Sequence, residues 1–103
     1  MDIDNNLKTL TSLLVIKAEN SFNVEDIQLG IDKIWKELEN SRGKINDITI
    51  NRLSSIITKL AIVLDAYKAN MIKFDNFKVY IEREKVVNDL LEIGEMILEK
   101  AIL

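Results

Sequence analysis

The chain has 103 residues, enough for one domain and too few for two. Hydrophobic residues make up 48% and charged residues 30%, a globular mixture rather than a disordered one. A net charge of −3 argues against nucleic acid as a partner, and with no cysteine or histidine there can be no thiol chemistry, Ser-His-Asp relay or His- or Cys-ligated metal.

There is no proline and there are only three glycines, Gly30, Gly43 and Gly94, too little turn punctuation for a β-rich fold. The first residues, MDIDNN, are acidic where a secretory signal would be basic. The longest apolar run, Leu60–Leu64, is far too short to span a bilayer. These features lead us to expect a cytoplasmic protein without direct membrane insertion, monomeric or weakly dimeric.

Apolar spacing predicts four helices in a single domain covering residues 1–103. The first runs from about Asp4 to Ala18, with Ile3 leading into a stripe of Leu7, Leu10 and Leu14. A polar connection ends at Asn23, a good N-cap for the second helix, and Glu25 and Asp26 follow where the helix dipole favours acids. That helix reaches about Asn40, with Val24, Ile27, Ile31, Ile34, Trp35 and Leu38 at three- and four-residue spacing. Gly43 can take the left-handed conformation that ends helices.

The third helix starts near Asn46 or Asp47 and runs to about Asn70, with Leu53, Ile56, Ile57, Leu60, Val63, Leu64 and Tyr67 on one broad face. After a short connection, Asp75 or Asn76 should cap a fourth helix that continues to the end. Its expected core face is Tyr80, Val87, Leu90, Leu91, Gly94, Ile97, Leu98 and Ala101. Short connections favour antiparallel neighbours, so the expected fold is all-α, an antiparallel up-down-up-down four-helix bundle.

The chemistry-bearing residues are sparse. The carboxylates, lysines and two tyrosines are spread over amphipathic surfaces and no phosphate-cradling glycine loop occurs, so no enzyme, cofactor or catalytic residue is expected. Glu92, Glu95 and Glu99, with Asp89 one turn earlier, could hold a cation, but bundle metal centres pair glutamate with histidine; a solvated acidic face is the reading preferred, with no metal. The run Glu82-Arg83-Glu84-Lys85 reads as a solvated stretch of helix. Trp35 reads as a core-edge residue, with an interface anchor as its functional alternative. Ile72, Phe74 and Phe77 cluster at the turn into the fourth helix, either as a hydrophobic staple or as an exposed patch for a partner. Ile102 and Leu103 either pack back on the bundle or form an interface.

The run Asp26-Ile27-Gln28-Leu29-Gly30-Ile31-Asp32-Lys33-Ile34-Trp35-Lys36-Glu37-Leu38-Glu39 resembles the second helix of the immunity proteins for pediocin-like (class IIa) bacteriocins, the enterocin A type especially. Ala66-Tyr67-Lys68 followed by Ile72-Lys73-Phe74 looks like the end of that family's third helix and the turn after it, and Leu91-Glu92-Ile93-Gly94 looks like the end of its fourth. Here the third and fourth helices each read as a little over one turn longer, and no polar tail of the kind family members often carry is expected after the fourth helix. The resemblance implies a producer's self-protection protein acting at the inner face of the membrane. Its partner would be the membrane-embedded mannose permease with bound bacteriocin. The implied partner-binding residues are Tyr67, Ile72, Lys73, Phe74 and Phe77, on the half of the chain that carries specificity in the family. The alternative class is a small helical adaptor or inhibitor of the phage or mobile-element type.

Overall fold

In a computed structural model, residues 2–15 and 23–102 are described, and every regular element among them is an α-helix. The helices are α1 (Asp2–Leu14), α2 (Val24–Asn40), α3 (Asp47–Lys68), α4 (Phe74–Arg83) and α5 (Val86–Ile102). The end expected for the first helix, Ala18, lies outside the described residues, as does Leu103; of Ile102 and Ala101 only the backbone is described.

The local signals act as elementary chemistry requires. Asn23 takes an extended backbone, and its side-chain oxygen accepts a hydrogen bond from the Asp26 N–H at 3.2 Å, satisfying a donor with no partner inside the helix. Asn46 does the same for α3, accepting from the Ile48 N–H at 2.7 Å. Between these helices Gly43 adopts φ +82°, the left-handed conformation a side chain resists.

Each helix turns one stripe inward: Ile3, Leu7, Leu10 and Leu14 from α1, Ile27, Ile31, Ile34 and Leu38 from α2, and Leu53, Ile57, Leu60 and Leu64 from α3. Phe77 and Ile81 from α4 and Val86, Leu90, Ile93 and Ile97 from α5 complete the core. Helix α1 packs on α2 and α5, and α3 packs on the same two, which closes a ring of four, while α4 leans on α3 and α5. The ring is tight around α1. A side chain on Gly30 would approach Leu10 to 3.2 Å, and one on Gly94 would meet a carboxylate oxygen of Asp4 at 3.0 Å. Asp4 is 7% exposed; its other oxygen pairs with Lys8 at 3.2 Å, while the oxygen against Gly94 has no hydrogen-bond partner among the described residues.

The expectation of one helix from residue 76 to the end is corrected. The segment begins at Phe74, after Lys73 in an extended conformation with no side-chain cap, and divides at Glu84 and Lys85. Lys85 has φ +54°. The reason lies in the phase of the apolar residues. At about 100° per residue, an unbroken helix would place Phe77 and Ile81 nearly opposite Val86, Leu90, Ile93 and Ile97, so the two sets could not share one core. The break turns α5 so that they do. The core face expected from sequence is accordingly displaced by one residue. Leu90, Gly94 and Ile97 are buried, but Tyr80 and Val87 are only half-buried and Leu91 and Leu98 are exposed, while Ile81 and Ile93 take the inner positions.

Candidate functional site

The turn between α3 and α4 is built by backbone geometry first. The Ala69 N–H donates to the Asp65 carbonyl at 3.0 Å, the Asn70 N–H to that of Tyr67 at 3.0 Å, and the Met71 N–H to that of Ala66 at 2.9 Å. With Asn70 at φ +59°, these bonds form the reversal in which a left-handed residue lets the last carbonyls of a helix be satisfied. Asparagine tolerates that conformation better than most residues. Three residues after Asn70 the Lys73 carbonyl accepts from the N–H groups of Asn76 and Phe77, each at 3.1 Å, and α4 begins.

This reversal brings three of the five expected partner-binding residues, Tyr67, Phe74 and Phe77, into one aromatic cluster, while Ile72 packs against the core. The ring of Tyr67, in the last turn of α3, lies 5.3 Å from that of Phe77 and 6.2 Å from that of Phe74, tilted by 42° and 51°. Tilted pairs at such separations are favoured by the ring quadrupoles. Phe77 is fully buried, Tyr67, Ile72 and Phe74 are half-buried, and Lys73 is exposed at the rim. Phe77 therefore closes this end of the core and supports Tyr67 from beneath, as a staple would, while Phe74 and Ile72 keep an outer edge. Met71 stands at the tip, 78% exposed. Sequence reasoning treated it only as part of the connection; its signal was its position immediately after Asn70, where a residue usually folds back onto the helix end. Beside the cluster, Lys68 reaches across to Gln28 of α2 at 3.3 Å and approaches Asp65 at 3.9 Å.

The acidic stripe of α5 has a partner that apolar spacing could not reveal. Arg52 donates to both carboxylate oxygens of Glu92, at 3.1 and 3.3 Å, and lies 3.5 Å from Asp89. The hydrogen bond with Arg52, and then its charge, hold the Glu92 carboxyl below its ordinary value. The same hydrogen bond raises the guanidinium pKa of Arg52 above its usual value. Burial, then the neighbouring Glu84, pushes the Tyr80 phenol up. Among the described residues no three carboxylates converge to hold a metal ion. Trp35 is half-buried and packs against the core.

No family model matches the chain, and no curated protein or solved structure does. Among the described residues no helix is long and apolar enough to cross a membrane.

Proposed function

We propose that this chain is a cytoplasmic, non-catalytic binding module that protects its host from a pediocin-like bacteriocin. In this reading it engages the membrane-embedded mannose permease, with bacteriocin bound, from the inner face of the membrane. The observation that carries the proposal is the turn between α3 and α4. It carries the half-buried Tyr67, Ile72 and Phe74 and the exposed Met71 and Lys73 on one turn, with Phe77 buried against Tyr67. Aromatic and methionine side chains on a rigid support are what a protein-binding surface uses. This turn also coincides with one of the three segments through which the chain resembles the immunity family.

The same reading takes α1, α2, α3 and the α4–α5 pair as an up-down-up-down bundle. In its support, Arg52 early in α3 meets Glu92 late in the chain, whereas Tyr67 at the end of α3 meets Phe77, the order of partners in an antiparallel hairpin.

The test is protection. Expressed in a bacterium sensitive to pediocin-like bacteriocins, the protein should weaken at least one member of a broad panel about tenfold or more. Phe74→Ser should abolish that protection with little change in melting temperature, because the ring is only half-buried. Full protection by a stable Phe74→Ser protein would remove the docking role of the turn. A folded, expressed protein that protects against nothing would select the adaptor or inhibitor reading, which can use the same surface.

A further inference from the structure

Asp4 is a carboxylate where packing asks for none. It stands between Ile3 and Leu7 on the inner side of α1, and its surface is almost wholly covered. One oxygen, Oδ2, pairs with the Lys8 ammonium at 3.2 Å. The other, Oδ1, is shut off from solvent and has no hydrogen-bond partner among the described residues. A buried acceptor without a donor costs folding free energy that an aliphatic residue at the same place would not. Its presence is explained by a donor that the fold does not supply.

The surroundings describe that donor. Asp4 and Gly94 both line a slot of about 100 Å³ between α1 and α5, and Oδ1 lies 3.0 Å from where a side chain on Gly94 would begin. The lack of a side chain at residue 94 is what gives this oxygen its place on the slot. The other walls are mostly apolar: Leu7 and Leu90 are buried, and Leu91 and Leu98 are exposed beside them. Lys8 and Glu95, both exposed, complete the lining, and Glu95 pairs with none of the described cations. Two carboxylates against one ammonium leave one negative charge in excess. The volume is well below the roughly 300 Å³ at which pockets for drug-sized ligands begin, so the ligand is short. With Oδ2 held by Lys8, one oxygen is left to accept, which suits a single ammonium better than the two-pronged guanidinium fork. A metal ion would need further ligands, and no third carboxylate converges among the described residues.

We infer that the slot between α1 and α5 binds a primary alkylammonium group, held by Asp4 through Oδ1 and drawn in by Glu95. The apolar stem lies along the leucines and the charged head donates to the carboxylate, the division a lysine side chain makes between apolar and polar surroundings. Oδ1 is closed to water until the exposed side chains of Leu91 and Leu98 part to admit the ammonium. Free aliphatic amines and the lysine side chain of a partner protein offer this same chemistry, and experiment separates them. The inference stands independently of the bacteriocin reading.

The experiment follows the full chain by amide and methyl NMR during titration with n-butylammonium chloride, with n-butanol as the uncharged control of the same length. The ammonium should shift the Gly94 amide and the methyl groups of Leu7 and Leu90 saturably, and butanol should bind about tenfold more weakly or worse, the margin of a charge-assisted hydrogen bond. Asp4→Asn keeps the shape of the side chain and should weaken butylammonium binding by about the same factor. Glu95→Gln, at an exposed position on which the fold does not depend, should weaken it about twofold to threefold, and decides the matter with the butanol control if Asp4→Asn does not fold. Tighter binding of diaminobutane than of a blocked lysine amide assigns the site to free amines, and the reverse order assigns it to a partner's lysine. Butanol binding as well as butylammonium, undiminished affinity in a folded Asp4→Asn protein or in Glu95→Gln, or shifts that spare Gly94 and never saturate would each overturn the proposal.

Discussion

Two phenylalanines three residues apart in α4 have different environments. Phe77 lies under the ring of Tyr67 with none of its surface exposed, whereas Phe74 keeps an outer edge. Phe77→Ala should therefore cost about 3–5 kcal/mol in urea denaturation, the loss expected when a large aromatic leaves a close-packed core. A loss below about 1 kcal/mol would mean that the ring does not fill the core as described. The turn's aromatic content was legible in the sequence, because three large apolar side chains in a connection are unusual there. Which of them pointed inward was not legible, since that depends on how Asn70 turns the chain and on where Tyr67 waits to receive it. Arg52 was harder still. Its partners stand far along the sequence, and ion pairing across helices follows only after packing has chosen the faces.

At the scale of the helices, local chemistry was the most readable layer. Asn23, Asn46 and Gly43 do what their side chains, or lack of one, suggest. Asn46→Ala should remove the cap of α3 and lower stability by about 1 kcal/mol, measured as a shift in denaturation midpoint; no shift would mean that the 2.7 Å bond to Ile48 contributes nothing in solution. The division into α4 and α5 escaped the same reading, because helix propensity across Glu82–Lys85 is high and a regular stripe through Tyr80, Val87, Leu91 and Leu98 agrees with a continuous helix. The contrary signal was the five-residue step from Ile81 to Val86. Five residues advance a helix by about 140°, too far for two side chains to share a face. Tertiary packing overrode propensity there, since four buried aliphatic residues outweigh one strained backbone angle.

The whole molecule carries a small, readable dependence on acid. The folded Glu92 carboxyl stays ionised to lower pH than it would in the unfolded chain, because Arg52 holds it. Its contribution to stability is therefore present above the ordinary carboxylate range and lost as pH falls through the depressed folded value. The melting temperatures of the parent and of Glu92→Gln should differ slightly at neutral pH and converge once the pH has fallen through that depressed value; a gap that persists in stronger acid would show that the carboxylate acts through packing and not through charge. The ring of helices has a further consequence for how such a chain is made. Helix α1 leaves the ribosome before the other four helices, but the surface against which Asp4 and Leu7 rest is α5, at Gly94, and that surface follows some eighty residues later. Until it arrives, α1 can lean on α2 alone, with Leu7 and its neighbours uncovered. A nascent chain halted short of α5 is then a natural client for a chaperone, and the ring closes only once α5 has emerged.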